Sequence, residues 1–407
     1  MKRIVKVLNP FLLVIIAVAL FTGCENKYPN SIYSPNAKYN PDPVITDVQP
    51  KLALAGIDTV KIMGKNFSPN PEENTVYFNG KKAVIISASE TELTVQAPNV
   101  PSDSVKIDVA VHGALLFAKY APIKLEYASI EYGGFDDYMN ASGLACDLSE
   151  NIYVVLTTRK VLKVTPDGTQ EDYGTVPFFI ATGMKIGPGG YLYILRGNRT
   201  VYRIPPGGGA AQKFVPRISG RIYDLDFGPN GILYTAGKAD SIFSVQPDGS
   251  FLGTAAYVDY SIKSVRVYDG YVYVAGEYNG TDTTIPKEGV WRNQITSTDG
   301  KLGNSELVFD WAAYAGENGP SILSITFSEK GNLYIGENRD NAITIYSPGT
   351  GSTRILYPGV IFPPTNYLSW GNGNYLYANR HNDMNASERR IMRYTMKVNG
   401  APYYGRK

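Results

Sequence analysis

The sequence predicts an all-β protein in which an immunoglobulin-like sandwich precedes a six-bladed β-propeller. Three observations lead to this prediction. Short alternating apolar runs are separated by Gly and Pro turns, a strand–turn–strand pattern recurs about every forty residues, and the segment before the repeats has strands at sandwich spacing. We expect the sandwich over residues 43–127 and the propeller over residues 128–407.

The repeat is clearest between Asp224 and Gly249, where two apolar runs flank a Gly-Pro-Asn-Gly turn and a third run ends in Pro-Asp-Gly. In the second run an apolar residue precedes a tyrosine, and this pair recurs along the chain. It occurs at Ile152-Tyr153, Leu192-Tyr193, Leu233-Tyr234, Val272-Tyr273, Leu333-Tyr334 and Leu376-Tyr377. The spacings are therefore 40, 41, 39, 61 and 43 residues.

A period near forty residues is typical of four-stranded sheets that stack around a central axis, because each sheet buries its faces only against its neighbours. Six copies predict six blades. The 61-residue step indicates an insertion between Gly276 and Gly289, which has loop composition. A closed ring also needs an N-terminal strand to complete the last blade, and we expect this strand at Ser129–Tyr132, around Ile130.

These repeats resemble NHL-type six-bladed propellers. The residues that carry the resemblance are Gly143–Asp147, a small-apolar segment ending in Asp, and Ser328–Ile335, a turn followed by Leu-Tyr-Ile. The resemblance implies the fold of residues 128–407. It does not select an activity, because propellers of this type include lactonases, ligand-binding proteins and scaffolds.

The N-terminus has the pattern of an export signal over residues 1–23. Basic residues precede the apolar run Phe11–Leu20, which is too short for a stable membrane span, and Phe21–Cys24 resembles a bacterial lipobox. The resemblance implies cleavage before Cys24, diacylation of its thiol and retention at a membrane. A secreted protein with an ordinary signal peptide and a transmembrane protein are the alternatives. With the lipidated cysteine, residues 24–42 have the composition of a tether.

The segment from residue 43 to residue 127 resembles an IPT/TIG domain. Three of its motifs carry the resemblance: P-x-I-x-x-V-x-P at Pro43–Pro50, I-x-G-x-N-F at Ile62–Phe67, and the closing Ala97-Pro98. Such domains imply a spacer or an interaction module, so no catalytic residue is expected here. His112 is expected to be an ordinary strand residue rather than a ligand.

Composition excludes few functions. The 39 basic and 37 acidic residues leave a net charge of +2, so no global field attracts nucleic acid. The chain has two cysteines, Cys24 and Cys146. If the first carries lipid, no disulfide is available, and the second is expected to be a buried core residue rather than a nucleophile, because no histidine lies near it in sequence.

Propeller topology sorts the connections onto two faces. If the strands of a blade run outward as A, B, C and D, the A–B and C–D turns share one face, which we name the turn face. The B–C and D–A connections share the opposite face, which we name the loop face. The turn-face connections are short and uniform, whereas the loop-face connections are irregular and therefore the better place for a binding site.

Cationic and aromatic residues concentrate on the loop face. Planar rings stack on sugar or catechol rings, and guanidinium groups bind carboxylate, sulfate and other oxyanions. The alternative is that the arginines only solvate the loops and that the rings fill gaps between blades. The candidate ligand-binding residues are Arg159, Phe178, Phe179, Arg196, Arg199, Arg221, Lys238, Tyr260, Trp311, Tyr314, Arg339, Phe362, Tyr367, Arg380 and His381.

An enzyme is the main alternative to a binding protein. Acidic residues also occur on the loop face, and calcium-dependent lactonase propellers use an axial metal held by Glu, Asp and Asn, a role open here to Glu337, Asn338, Asn379 and Asp147. However, no Glu follows the first inner strand, and no HExxH, GxSxG, P-loop or CxxC is present. The sequence therefore favours a binding protein without a cofactor, with calcium expected only under the lactonase alternative.

The order of anchor, tether, spacer and propeller is similar to that of Bacteroidetes surface lipoproteins that capture nutrients for a TonB-dependent outer-membrane transporter. The resemblance implies a glycan or siderophore-like ligand, such a transporter as partner, and a location at the outer membrane or cell surface. A protein-interaction scaffold is the third possibility. Nucleic acid is not an expected partner.

Overall fold

The computed structural model describes residues 38–316, 318–382 and 384–406. The expected signal peptide, Cys24 and most of the expected tether lie outside these residues. In the described part of the chain, no helix is both long enough and apolar enough to cross a membrane.

The first domain is a two-sheet sandwich whose strands alternate between a buried and an exposed face. One sheet has the order β1-β3-β7-β6 and the other the order β2-β9-β8-β4-β5. Fully buried residues such as Ile62, Phe78, Leu93 and Ile107 fill the space between them. The strands are β1 (Val44–Gln49), β2 (Leu52–Leu54), β3 (Thr59–Lys65), β4 (Asn74–Phe78), β5 (Lys81–Lys82), β6 (Val84–Ala88), β7 (Glu92–Gln96), β8 (Ser102–Val111) and β9 (Ala118–Glu126).

In the described residues the second domain forms six sheets, each built on four antiparallel strands, which confirms the predicted fold class. The strands are β10 (Ser129–Glu131), β11 (Ala141–Cys146), β12 (Ile152–Leu156), β13 (Lys160–Val164), β14 (Gln170–Thr175), β15 (Gly183–Ile186), β16 (Leu192–Leu195), β17 (Val201–Ile204), β18 (Gly209–Ala210), β19 (Gln212–Val215), β20 (Asp224–Phe227), β21 (Leu233–Ala236), β22 (Ser241–Val245), β23 (Phe251–Ala256), β24 (Tyr260–Tyr268), β25 (Tyr271–Tyr278), β26 (Glu288–Ile295), β27 (Leu302–Asp310), β28 (Ile322–Phe327), β29 (Leu333–Glu337), β30 (Ile343–Ser347), β31 (Ser352–Ile355), β32 (Tyr367–Trp370), β33 (Tyr375–Arg380) and β34 (Arg390–Thr395).

The blades follow the chain in order, with inner strands β11, β15, β20, β24, β28 and β32. Blade 1 gains a fifth strand, because β18 from the C–D connection of blade 2 pairs with β14 in parallel. Blade 6 is completed by β10, in which Ile130 pairs with Arg393 of β34. The predicted N-terminal closure around Ile130 is therefore present.

The repeated tyrosine explains the period of the sequence. Each of these tyrosines lies in the second strand of its blade, is buried, and belongs to the same apolar cluster as a residue at or next to the end of the inner strand in the following blade. The pairs are Tyr153 with Ile186, Tyr193 with Phe227, Tyr234 with Val267, Tyr273 with Phe327, Tyr334 with Trp370, and Tyr377 with Cys146. One large ring per blade thus fills each interface, and the last pair closes the circle.

Cys146 is therefore a core residue at a position that other blades fill with Phe, Ile, Val or Trp. It is buried, and burial raises the pKa of its thiol to about 12. A protonated, inaccessible thiol is a poor nucleophile, which agrees with the structural role expected from the sequence.

The insertion in blade 4 is shorter than the sequence suggested. β25 ends at Tyr278 and β26 begins at Glu288, so the connecting loop covers only residues 279–287. The remaining extra length lies after β27, where a short helix α1 (Trp311–Ala315) begins the connection to blade 5. Asp310 caps this helix by accepting a hydrogen bond from the Ala313 amide.

The two domains share a core cluster at blades 5 and 6. Leu54, from the sandwich, is buried in the same cluster as Tyr357 and Ile361 of the propeller, and Ile57 packs against it. The ammonium of Lys397 also pairs with Asp58 across the boundary.

Candidate functional site

The propeller axis is filled by a buried ionic network. Arg266 of β24 donates one hydrogen bond to Asp224 Oδ2 at 2.9 Å and another to the Leu368 carbonyl at 3.1 Å, so it joins blades 3, 4 and 6. Asp224 also accepts a hydrogen bond from the Ser264 hydroxyl at 3.0 Å. Buried charges of this kind are tolerated only when they are paired and hydrogen-bonded.

Lys185 and Asp226 add a second pair of buried charges to the inner strands. Burial, with the nearby Arg266 guanidinium, lowers the pKa of Lys185. Burial raises the pKa of Asp226, whose carboxylate accepts hydrogen bonds from the Phe227 and Val267 amides at 2.9 Å. Burial thus disfavours the charged forms of both groups, and their placement beside the Arg266 and Asp224 pair concentrates titratable groups at the axis.

The C-terminal segment closes the axis on the turn face. Tyr403 is buried, its ring lies 4.6 Å from the Lys185 ammonium, and its hydroxyl is 3.1 Å from the Thr326 hydroxyl. Burial alone would raise the pKa of Tyr403, but the Lys185 and Arg266 charges hold it below its usual value. A Cβ added at Gly405 would lie 2.4 Å from the Ile186 carbonyl oxygen, so only glycine fits there.

At the loop-face end, Tyr367 of β32 donates a hydrogen bond to the Ala181 carbonyl at 3.0 Å and so links blade 6 to the connection between blades 1 and 2. Together with Arg266 and Tyr403, this contact ties inner strands of different blades to one another near the axis. The axial site expected under the lactonase alternative does not fit these residues, because a guanidinium and an ammonium group repel calcium.

The calcium ligands considered from the sequence also fail to converge. Asp147 lies at a turn-face connection and accepts a hydrogen bond from the Tyr153 hydroxyl at 2.8 Å, whereas Glu337 and Asn379 lie at the loop-face ends of their strands. The Asn379 amide donates to the Ala141 carbonyl at 3.0 Å. Among the described residues, no group of three or more His, Cys, Asp or Glu is placed to hold a metal ion.

A cleft of about 600 Å³ opens on the loop face between blades 2 and 3. We name it the cationic cleft, because it brings together three of the candidate cations, Arg199, Arg221 and Lys238. The residues that line it are Arg199, Ser219, Gly220, Arg221, Lys238, Ala239, Asp240, Ser241 and Phe243.

Two glycines bring the walls of the cationic cleft together. A Cβ at Gly220 would lie 2.2 Å from the Ala239 Cβ, and one at Gly237 would lie 2.5 Å from the Arg221 carbonyl oxygen. Backbone bonds fix the same loops, since the Ile218 amide donates to the Arg199 carbonyl at 2.7 Å. The cations therefore project from closely packed, hydrogen-bonded loops.

The charged side chains of the cationic cleft are unpaired within the part of the chain that the structure describes. Arg199, Arg221 and Lys238 are exposed and form no ion pair or side-chain hydrogen bond with a described residue, and the same holds for Asp240. Three cations and one carboxylate leave a local excess of two positive charges. Such a site favours an anionic ligand.

Arg159 and Phe179 form a second surface feature, between blades 1 and 2. The Arg159 guanidinium lies 4.3 Å from the centre of the Phe179 ring, which is 55% exposed. Arg196 lies 5.9 Å from the neighbouring Phe178 ring. Cation and ring thus present adjoining surfaces to solvent, as the binding hypothesis requires.

Other exposed apolar residues lie on loop-face connections in nearly every blade. Tyr314 and Phe362, two of the candidate residues, are 40% and 55% exposed. The remaining exposed large apolar residues of these connections are Tyr138, Ile180, Val258 and Met384. Apolar groups of this kind suit contact with a ring-bearing ligand or with another protein.

Three of the candidate residues are structural rather than ligand-facing. Trp311 is 1% exposed and donates its indole hydrogen bond to the Pro320 carbonyl at 2.6 Å, so no ring face is open for stacking. Phe178 is buried against Tyr202. Tyr260 is half-buried in a ring cluster with Trp291. The packing of these three rings is the arrangement that the alternative describes, in which rings fill gaps between blades.

Further candidates hold the loops in place. Arg339 donates to the Gly319 carbonyl at 2.7 Å, and Arg380 donates to the Pro363 carbonyl at 3.1 Å and lies 3.6 Å from Glu388. The half-buried His381 is tied through its amide to the Asn366 side chain at 3.0 Å. A ligand-binding role for these residues stays a prediction.

Sequence reasoning missed the axial charges and one loop-face cation. The axial charges are Lys185, Asp224, Asp226 and Arg266. Each is a charged residue among apolar neighbours in an inner strand, and this contrast in the sequence could have indicated a buried charge. Arg217 is exposed in the same connection as Arg221 and was overlooked. The closing role of Tyr403 had no local signal, because it depends on where the chain returns after the last blade.

The fold and this surface define a class of protein: a sandwich followed by a closed propeller with buried charges at its axis and a cationic cleft on its loop face. Residues 43–127 match the IPT/TIG domain family, as the motifs in the sequence predicted. No curated protein matches the chain.

Solved structures share the fold at low identity. An auxiliary nutrient binding protein from Bacteroides thetaiotaomicron is 12% identical with a TM-score of 0.51, over 89% of this chain and 98% of that one. A provisionally assigned phosphatase from the same organism is 12% identical with a TM-score of 0.56, over 88% and 98%. A luciferin-regenerating enzyme is 16% identical with a TM-score of 0.53, over 68% and 97%.

The fraction of this chain that is covered differs between these structures. The two Bacteroides proteins match more of this chain than the propeller alone contains, so their alignments include the sandwich, whereas the share matched by the luciferin-regenerating enzyme is close to that of the propeller. At these identities the likeness concerns the fold and not the activity.

Proposed function

We propose that this protein is a lipid-anchored surface protein that binds an anionic nutrient on its loop face. The observation that carries the proposal is the cationic cleft, in which Arg199, Arg221 and Lys238 line one opening without a described ion-pair partner. The charges of these three side chains are not used in ion pairs with described residues, and a cleft that gathers them is suited to a ligand with carboxylate, sulfate or phosphate groups.

The ligand class follows from the groups around the cationic cleft. Guanidinium groups supply bidentate hydrogen bonds to oxyanions, and the exposed rings of Phe179 and Phe362 supply stacking surfaces on other connections of the same face. A charged glycan offers both groups, as does a ferric siderophore with catechol or carboxylate groups. An uncharged oligosaccharide would leave the cations of the cleft without a partner.

The cellular setting rests on the sequence. Acylation at Cys24 would hold the protein at a membrane, and capture close to a TonB-dependent transporter would raise the local concentration of nutrient for uptake. The fold is compatible with this role, since a structure with the same two-domain extent is an auxiliary nutrient binding protein. The luciferin-regenerating enzyme shows that the propeller fold also serves catalysis, so the fold alone does not decide.

The test is a binding screen of the full chain against charged glycans, uncharged glycans and ferric siderophores, followed by calorimetry on any hit. Replacing Arg199, Arg221 and Lys238 together by alanine is expected to weaken binding at least tenfold, because each cation contributes charge-assisted hydrogen bonds. The control replaces Lys81, Lys213 and Lys330, which are exposed cations elsewhere on the molecule. It removes the same charge and is expected to leave the affinity within about twofold.

Salt provides a second readout, since affinity for the native chain should fall as ionic strength rises and the dependence should flatten in the triple variant. Equal loss of binding in both triple variants would mean that net charge alone is responsible. Turnover of the ligand that stops with chelator would instead favour the lactonase alternative. Binding only to a protein partner would favour a scaffold.

A further inference from the structure

A second surface, far from the cationic cleft in sequence, presents three consecutive apolar side chains to solvent. Leu115, Leu116 and Phe117 lie in the connection between β8 and β9 and are 63%, 67% and 56% exposed. We name these three residues the apolar tip. In the part of the chain that the structure describes, it is the longest uninterrupted run of exposed large apolar residues. Soluble surfaces rarely carry such a run without a partner.

The apolar tip is held in a defined conformation. Asp42 Oδ1 accepts hydrogen bonds from the Leu115 and Leu116 amides at 3.0 and 2.9 Å, and the Asn40 amide donates to the Gly113 carbonyl at 2.7 Å. The Leu115 and Leu116 amides thus have an acceptor while the side chains face solvent. Bonded backbone amides lower the cost of placing such a segment in a lipid interface.

The same hydrogen bonds place the apolar tip where the chain enters the domain. Asn40 and Asp42 belong to the first described residues, so the segment from Cys24 joins the sandwich directly beside the tip. The segment between Cys24 and Lys38 can span at most about 50 Å when fully extended. If Cys24 carries lipid, the tip then lies within about 65 Å of the lipidated cysteine, because Asp42, which binds the tip, follows Lys38 by four residues.

The charges beside the apolar tip also suit a membrane surface. Lys38 and Lys119 are exposed and form no ion pair with a described residue. Together with the Asp42 carboxylate that binds the tip amides, these two lysines leave one excess positive charge next to the exposed leucine and phenylalanine side chains, which suits anionic headgroups above an acyl boundary.

We infer that the apolar tip inserts into the lipid interface that holds the anchor, so that the sandwich lies against the membrane and the tether does not hold it away. The inference rests on the acylation of Cys24 in the proposed function, and it is independent of the ligand. The acyl chains on Cys24 and the apolar tip would then bind the same membrane. Because the segment between them joins the two, the second contact forms within one molecule once the first is made.

The test uses the acylated full chain in vesicles of phosphatidylethanolamine and phosphatidylglycerol. Leu116→Cys carries an environment-sensitive dye. An acylated Cys24 has no free thiol, and Cys146 is buried, so labelling is specific. Lys81→Cys, exposed on β5 of the same domain, is the matched control. Nitroxide-labelled lipids are expected to quench the dye at position 116 at least threefold more than the dye at position 81.

Equal quenching at the two positions would overturn the inference. It would also be overturned by a signal at position 116 that grows with the number of protein copies per vesicle, since that result would mean that tips of neighbouring copies pack together. Mass spectrometry that finds no acyl chain on Cys24 would remove the premise. Ligand binding by the cationic cleft is measured separately, so failure of the tip and failure of the cleft are distinguishable.

Discussion

Glu337 illustrates how a single buried group can make the stability of the propeller depend on pH. It is fully buried at the loop-face end of β29, one carboxylate oxygen accepts a hydrogen bond from the Thr344 hydroxyl at 2.8 Å, and the other has no described partner. Burial raises its pKa from 4.5 to about 7. The neutral carboxylic acid is therefore the form that the folded protein prefers.

Glu337→Gln is expected to remove this dependence. Because the pKa in the folded protein exceeds that in the unfolded chain, the contribution of Glu337 to stability is present below about pH 4.5 and is lost as pH rises to about 7. The variant should therefore be more stable than the native protein at pH 8, by up to about 3 kcal/mol, with little difference at pH 4.5. Denaturant unfolding at several pH values measures the effect.

Asp269→Asn is the control for that series, because Asp269 is an exposed carboxylate in a turn-face turn of the same domain. It is expected to leave the pH profile unchanged. If the free energies of unfolding of the native protein and of Glu337→Gln changed with pH in the same way, the buried carboxylate would not govern the pH dependence.

At the scale of residues, the sequence predicted on which face of the propeller a side chain lies better than it predicted what surrounds that side chain. Strand order places Arg199, Arg221 and Lys238 on one face whatever their neighbours, so their convergence followed from topology. Trp311 is different, because an aromatic residue in a connection can either face solvent or fill a gap between blades. Only the structure shows that the Trp311 indole donates its hydrogen bond to the Pro320 carbonyl.

At the scale of elements, the closure of the ring depends on one short strand. β10 contributes three residues to blade 6, and Ile130 pairs with Arg393. Ile130→Pro is expected to disturb this pairing and to destabilise the propeller by about 2–3 kcal/mol, because proline strains the strand and removes a ladder donor. Hydrogen exchange of the β34 amides should become faster.

Leu252→Pro provides the comparison, since Leu252 lies in the outer strand of blade 3, which does not join distant parts of the chain, and its amide faces the neighbouring strand as that of Ile130 does. A loss of stability equal to that of Ile130→Pro would mean that both changes report a general sensitivity of outer strands to proline. A larger loss for Ile130→Pro is expected, because opening the ring exposes the contact between blades 6 and 1.

Elements were predictable where a physical constraint repeats. Each blade needs one large ring against its neighbour, so the tyrosine period identified all six second strands. Blade 4 departs from this regularity: β25 and β26 continue past the expected loop boundaries. Strand length beyond the shared core is not fixed by the repeat, and the sequence between Gly276 and Gly289 has loop composition throughout.

At the scale of the whole molecule, the sandwich and the propeller are joined by a shared apolar cluster. Leu54→Asp places a charge in this cluster, where Leu54 is 7% exposed. We expect the native chain to unfold in one calorimetric transition and the variant to unfold in two, because the domains would lose their common core. Leu52→Asp is the control, since Leu52 lies on the same strand but is 53% exposed. Two transitions already in the native protein would contradict the expectation.

The closure of the axis by Tyr403 and Gly405 has a practical consequence for measurement. The last described residues lie on the turn face, so a fusion joined after Arg406 would leave the molecule opposite the loops that carry the cationic cleft. Immobilisation on a biosensor through that end would orient every copy with its arginines toward the flowing solution. Coupling through surface amines would instead consume Lys238, and the two immobilisation chemistries should then report different capacities for the same analyte.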